Sequence, residues 1–323
     1  MSTSSINLLV GFSRLLGITA LFFLFENIVF AQSSGFQQHR EAAQQSAGAE
    51  WGGVVDYLCT TGPITANRPD HPVIEPVQIF DNLYAIGRTT TVVYAITTSD
   101  GIILLDSGFG DQVDSVLLPG MAQLGLDPAD IEYVIVAHGH ADHYGGATHL
   151  QARFGVSVVA SSADWDLMEE AASNPSAVSP PTRDVVARDG EPITLGDGVV
   201  TPYLVPGHTP GAIGMVFPVH DGENTYTAAL FGGMALNLTR LSDEALPQYL
   251  SSVKRFSRLS EELGFNVVVQ NHPLFDGMPE KLERLKTRRA GEPHPFLIPD
   301  GSYQRFMTTV SECSQAQVAA ARD

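Results

Sequence analysis

Short bursts of apolar residues, spaced by turn formers, dominate the first third of the chain. Pro76 to Phe80, Leu83 to Ile86, Thr91 to Thr97 and Ile102 to Asp106 are rich in β-branched and aromatic residues. Between them stand Asp81-Asn82, Gly87 to Thr90 and Ser99-Asp100-Gly101, which favour tight turns, so the pattern predicts an antiparallel meander. Asp111 to Leu124 has helical spacing, and Leu126-Asp127-Pro128 separates it from Tyr133 to Ala137, a β-branched run with the character of a buried strand. A helix over 144–154, a strand over Val156 to Ala160 and a helix over 162–172 are predicted next. Ser173 to Pro181 is a Pro/Ser-rich loop long enough to border a pocket.

The second half repeats the scheme. Strands are predicted at Pro192 to Leu195, Val199 to Val205, Ala212 to Pro218 and Tyr226 to Phe231, then a helix from about Glu244 to Leu263. Another buried strand, Phe265 to Gln270, leads into Asn271-His272-Pro273, and Ser302 to Ala321 reads as a closing helix. Strands followed by helices, twice over, predict a mixed α/β fold of two sheets face to face with helices outside.

Ahead of this region, Leu15 to Phe25 is an apolar run too short to span a bilayer comfortably, preceded by Arg14 and followed by Val29-Phe30-Ala31. It has the form of a secretory signal, with cleavage expected after Ala31 and no membrane anchor remaining afterwards. Gln32 to Glu50 is polar and lacks a sustained apolar face, so a flexible leader is expected there and the domain from Trp51 to Asp323.

With 323 residues, 44% hydrophobic and 17% charged, the chain can build a substantial core. Its formal charge of -18 opposes binding to phosphate backbones and anionic lipid, and directs attention to small-molecule substrates instead. Export would place the two cysteines, Cys59 and Cys313, where thiols oxidise; the count allows one bridge or two separate buried thiols.

The chemistry gathers at Ala137-His138-Gly139-His140-Ala141-Asp142-His143, which places three imidazoles and a carboxylate on a strand-to-helix loop. His138 and His140 can point one way off the strand end. Asp142 and His143 fall a step further along and can face a neighbouring point, so one loop can serve two metal ions. Neutral imidazole suits zinc. Two further histidines follow strands directly: His208 within Val205-Pro206-Gly207-His208-Thr209-Pro210-Gly211, and His272. His39, His71, His149, His220 and His294 lack such a setting and read as structural.

In order and spacing these motifs resemble those of the metallo-β-lactamase superfamily: the His-x-His-x-Asp-His loop, the Gly-His-Thr-Pro-Gly loop and a late strand-end histidine. The resemblance runs from about Ile79 to Leu285. Asn82 to Gly87, Thr97 to Gly108 and His272-Pro273-Leu274-Phe275-Asp276 look most like subclass B3 enzymes. That implies an αββα sandwich carrying two Zn2+ at one edge, with His138, His140 and His208 holding the first zinc and Asp142, His143 and His272 the second. Asp106 matches the strand-end aspartate that supports the ligand loop from behind.

One position departs from many relatives. Where glyoxalase II has a metal-bridging aspartate, this chain reads Leu230-Phe231-Gly232-Gly233-Met234-Ala235. A thioether is a poor ligand for a hard zinc pair, so Met234 is expected to pack beside the site. The missing carboxylate favours the lactamase-like branch: an exported enzyme that opens β-lactam amides with a zinc-held hydroxide, Asp142 orienting the nucleophile. A lactone, thioester or other activated ester remains the alternative substrate, and a metal-binding protein without catalysis a lesser one. Asn237 and Arg240, just beyond Met234, are candidates for holding the substrate, the arginine through its planar fork.

Overall fold

The computed structural model describes residues 35–60, 71–174, 177–236 and 244–322. The expected signal, residues 1–31, lies outside the described residues, as do Asn237 and Arg240. Among the described residues no helix is long and apolar enough to cross a membrane.

The strands form two sheets. In the first, β1 (Val77–Phe80), β2 (Leu83–Gly87), β3 (Val92–Thr98) and β4 (Gly101–Leu105) make the antiparallel meander expected from the turn residues. The sheet continues in parallel through β5 (Ile131–Ile135), β6 (Ser157–Ser161) and β7 (Val185–Ala187). The second sheet runs β12-β11-β10-β9-β8, with β8 (Ile193–Leu195), β9 (Gly198–Leu204), β10 (Ile213–Asp221) and β11 (Asn224–Phe231) antiparallel and β12 (Val267–Val268) parallel to β11.

Alternation along each strand decides which layer a side chain enters. Tyr94, Ile96, Ile103 and Leu105 face the second sheet and meet Ile213, Met215, Phe217, Ala228 and Leu230 in the central core. Their neighbours Val93, Ala95, Ile102 and Leu104 point outward, under a helical layer that contributes Val113, Leu117, Met121, Leu150, Trp165 and Met168. On the far side Val216, Ala229, Phe231 and Val268 are covered by Tyr249, Val253, Phe256, Tyr303 and Phe306. The result is four layers, helix-sheet-sheet-helix.

The outer layer of the second sheet corrects the sequence reading at the N-terminal side. Residues 35–47, expected to belong to a flexible leader, form a helix, α1, with Ala43 and Ala47 buried. Its inner face carries Ala43 and Ala47, with Phe36 the one large apolar residue of the helix packed against the same cluster, so it carries little hydrophobic signal. α1 is held beside the C-terminal helix α9 (Ser302–Arg322), where His39 Nδ1 lies 2.7 Å from Glu312 Oε2. The packed unit therefore begins before Trp51. The Trp51 indole donates to the Ser302 carbonyl at 3.1 Å, and α2 (Gly52–Leu58) ends at Cys59, which is disulfide-bonded to Cys313 in α9.

Three further differences are local. The helix expected over 144–154 is broken into α4 (Ala141–Tyr144) and α5 (Ala147–Phe154) at Gly145-Gly146, where the backbone lies against Gly110 and Ser107. β12 keeps ladder pairing over Val267–Val268 alone. The helical stretch at 110–123 winds through 3-10 and π turns before settling into α3 (Leu118–Gln123). The helices predicted near 162–172 and 244–263 stand as α6 (Ser162–Ala171) and α7 (Ala245–Leu263), and α8 (Met278–Thr287) follows the last ligand loop.

Candidate metal centre

The ends of β4, β5 and β9 and the segment after β12 meet at one edge of the sandwich. Loops there bring six of the residues singled out in the sequence into two groups, His138, His140 and His208, and Asp142, His143 and His272, with ligand atoms within 4.8 Å of one another in each.

In the first group His208 Nε2 lies 3.1 Å from His138 Nε2 and 3.0 Å from His140 Nδ1. The rings meet edge to face, at 82° and 81°. Three nitrogens on a tetrahedral zinc, at about 2.05 Å each, would lie about 3.3 Å apart, so the triad has the spacing that such an ion requires. In the second group Asp142 Oδ2 is 3.2 Å from His143 Nε2 and 3.7 Å from His272 Nε2. Among the described residues the buried atoms Asp142 Oδ2 and His143 Nε2 have no hydrogen-bond partner. Both face a polar enclosure beside two carboxylates, which suits a cation.

The protein fixes which nitrogen is free to ligate. His143 Nδ1 donates to Asp106 Oδ2 at 2.7 Å, His272 Nδ1 to the Thr90 carbonyl at 2.6 Å, and His208 Nδ1 to the Ala235 carbonyl. Each bond fixes Nδ1 as a donor and turns Nε2 into its cluster, as the nitrogen that would ligate once free of a proton. Asp106 also accepts from the Ala137 amide at 2.7 Å and from Asn271 Nδ2 at 2.9 Å. Its φ of 63° is, among the described residues, the one positive value at a non-glycine position, and it turns the carboxylate back under the ligand loop.

Electrostatics divides the histidines. Burial first, then the neighbouring imidazoles, holds His138 well below the usual range and His208 down to about 3, so both stay neutral and able to ligate. His272 is lowered too, by burial and by His143. At His143 burial acts downward, but Asp142 and Asp106 outweigh it and push the imidazole up to about 10. Those carboxylates attract positive charge, and a divalent cation at Asp142 and His143 would satisfy the same attraction. Asp142 is held below the ordinary carboxylate range, burial opposing and His143 and His272 prevailing.

Met234 is 1% exposed and belongs to the apolar cluster that includes Phe231, Leu236 and Tyr249. Its carbonyl accepts from the Tyr249 hydroxyl, which anchors the loop carrying Ala235. Gly233, at φ 81°, is pressed against His208: a Cβ there would lie 2.4 Å from that residue's Cβ. His294 stacks on Phe80 at 3.8 Å and bonds the Ile79 carbonyl, far from either triad in its contacts.

Several residues that hold the site were not read from the sequence: Thr90, Asn271, Tyr249 and Asp164. Two act through backbone carbonyls or a tyrosine hydroxyl, which no spacing reveals. Asn271, beside His272, had a positional cue in the strand-end Asn-His pair. Asp164 sits at Ser161-x-x-Asp164, where Ser161 Oγ accepts from the Asp164 amide, and the local pattern reads as an ordinary helix cap.

Known proteins resemble the chain in sequence and in fold. The family profile of the metallo-beta-lactamase superfamily matches residues 86–222. The fold resembles the crystal structure of BJP-1, a subclass B3 metallo-beta-lactamase of Bradyrhizobium japonicum, with a TM-score of 0.70, 28% identity, and coverage of 78% of this chain and 96% of that one. A hydroxyacylglutathione hydrolase of Acidiphilium cryptum is 30% identical over 157 residues, covering 44% of this chain and 58% of the relative. The N-acyl homoserine lactonase AttM of Agrobacterium fabrum is 29% identical over 157 residues, 46% of this chain and 54% of that protein. The chain thus spans a little over half the length of these two curated relatives. Residues 86–222 thus carry a metallo-β-lactamase superfamily domain, set within αββα layers that resemble a subclass B3 structure.

Proposed function

We propose that the chain is an exported, zinc-dependent hydrolase that opens β-lactam amides, with His138, His140 and His208 holding one Zn2+ and Asp142, His143 and His272 a second. The observation that carries this reading is the composition of the second triad: it is closed by His272, and the loop at Gly232 to Leu236 offers no carboxylate between the two groups. Zinc bound there would lower the pKa of a water to about 7 and polarise the carbonyl under attack. The chain's own residues do the rest. Asp106, Thr90 and Ala235 keep the ligating imidazoles in one tautomer and orientation. Asp142, held ionised, orients a water with the carboxylate oxygen not used for ligation. The Met234 side chain offers no donor, so substrate is held by the neighbouring loops, where Arg240 is the candidate partner for a substrate carboxylate.

A second reading, hydrolysis of a lactone or thioester at the same residues, is favoured by the likeness to a lactonase and to hydroxyacylglutathione hydrolases. The experiment that tests both is metal analysis of the purified protein, followed by hydrolysis of penicillins, cephalosporins, carbapenems, acyl lactones and glutathione thioesters. About two zinc ions per chain and turnover of a β-lactam support the first reading. Two zinc ions with turnover of lactones or thioesters alone replace it by the second, and full activity without metal refutes both.

A further inference from the structure

The two loops of the first triad come from different sheets and are joined by one buried carboxylate. Asp164, 1% exposed near the start of α6, accepts through Oδ2 from the Gly139 amide at 2.8 Å and from Thr209 Oγ1 at 2.7 Å. Through Oδ1 it accepts from the Gly211 amide at 2.8 Å. Gly139 lies between His138 and His140, and Thr209 follows His208, so one side chain grips the loops that carry all three imidazoles.

The grip has little slack. The Asp164 amide donates to Ser161 Oγ at 3.2 Å, which seats the residue in the first turn of α6. A Cβ on Gly211 would fall 1.9 Å from Ser161 Oγ and 2.9 Å from Asp164 Oδ1, so the loop approaches the carboxylate as backbone. Around Gly139 a Cβ would be 3.2 Å from Leu167 and 3.3 Å from the Asp164 carbonyl. Three donors converge on two oxygens, an arrangement a carboxylate satisfies and an amide does not, since its NH2 would face an N–H or O–H donor.

We propose that Asp164 is a positioning residue that sets the distance between the His138/His140 loop and the His208 loop, and through it the metal affinity of that triad. The proposal rests on the metal-site reading given above. Partners that orient metal ligands without touching the ion change affinity by about 10- to 100-fold when removed. A carboxylate serving only the fold would change stability and leave the affinity of a folded site alone.

The test is zinc titration of metal-stripped protein against a chelating dye, for the wild type, Asp164→Asn and Thr209→Val. Each is repeated in a His272→Ala background, where only the first triad remains, and thermal unfolding of the metal-free forms is recorded beside it. Asp164→Asn is expected to weaken the first site by about 10- to 100-fold while the second keeps its wild-type affinity. Thr209→Val removes one of the three bonds and is expected to weaken the first site several-fold. Wild-type affinity at the first site in folded Asp164→Asn overturns the proposal, whatever its melting temperature. If that variant cannot be purified, wild-type affinity in Thr209→Val overturns it instead. A wild type that binds no zinc fails the metal-site reading itself, an outcome separate from either.

Discussion

Removing the Cys59–Cys313 bridge should cost this fold a large part of its stability. The bonded residues are 254 apart in sequence, so in the unfolded state the bond closes a loop of nearly the whole described chain. The chain-entropy relation gives about 5.5 kcal/mol at 25 °C for a loop of that size, and measured losses are commonly about 2–5 kcal/mol. Domains are stable by about 5–15 kcal/mol in total. Both cysteines are buried, so Cys59→Ala with Cys313→Ala also removes some packing, while serine would leave buried hydroxyls. Urea unfolding of the double alanine variant should show a loss of about 3–5 kcal/mol relative to the oxidised wild type. With an m-value of about 3 kcal/mol/M, that is a midpoint lower by about 1–1.7 M. The loss has a place: α1 and α2 depend on α9, so amide exchange over 35–58 should quicken more than in the sandwich strands. A midpoint unchanged within about 0.2 M, with unaltered exchange in α1 and α2, would refute the reasoning.

Three other outcomes are expected. Asp106→Ala orphans the Ala137 amide, His143 Nδ1 and Asn271 Nδ2 in a buried site, and should cost about 3–5 kcal/mol by urea unfolding and weaken zinc binding about 10- to 100-fold by chelator competition. Met234→Ser should lose about 2–4 kcal/mol, because a buried thioether is replaced in an apolar cluster, while metal analysis shows zinc content unchanged. Asp276 is pushed up to about 6 by burial, with Lys281 pulling the other way. Its folded pKa lies above the unfolded value, so its contribution is complete below about pH 4 and is lost as pH rises through about 6, amounting to about 3 kcal/mol. The melting temperature of the wild type relative to Asp276→Asn should therefore fall between pH 4.5 and 7, and a constant difference would exclude the effect.

The meander was readable because alternation and turn chemistry coincide: Asp81-Asn82 and Ser99-Asp100-Gly101 stand where β1 meets β2 and β3 meets β4. The six polar side chains of the candidate metal centre were readable as spacing behind strands, since a strand end and a glycine-bracketed loop leave few places for an imidazole to point. What was not readable depends on distant partners. α1 shows one large apolar residue, Phe36, among small and polar ones until α9 is set against it, and among the described residues β7, three residues long, pairs with β6 alone. α8 starts after Gly277 at φ 68°, with Pro279 in its first turn, signals of helix entry that hydrophobic period does not carry. The cysteine count allowed a bridge, but nothing local in either segment brings the Cα atoms to 4.5 Å. Asp164 illustrates the same limit at the metal centre, because its three donors lie 25, 45 and 47 residues away.

The seam of α1 and α2 against α9 also imposes an order on biosynthesis. During translation residues 35–59 emerge long before the helix that covers them. At ordinary elongation rates the interval is on the order of ten seconds to a minute. Throughout it Trp51 lacks Ser302 as its acceptor, and Cys59 remains a thiol. Because the sequence holds only two cysteines, oxidation in that interval cannot trap a wrong pairing within the chain. Early oxidation can join only separate molecules or a small thiol, so dilution and a reducing pulse should both restore the native bond. Helix α9, made after every other described element, is thus the one that closes this unit, and a ribosome stalled short of it would present a sandwich with one side open.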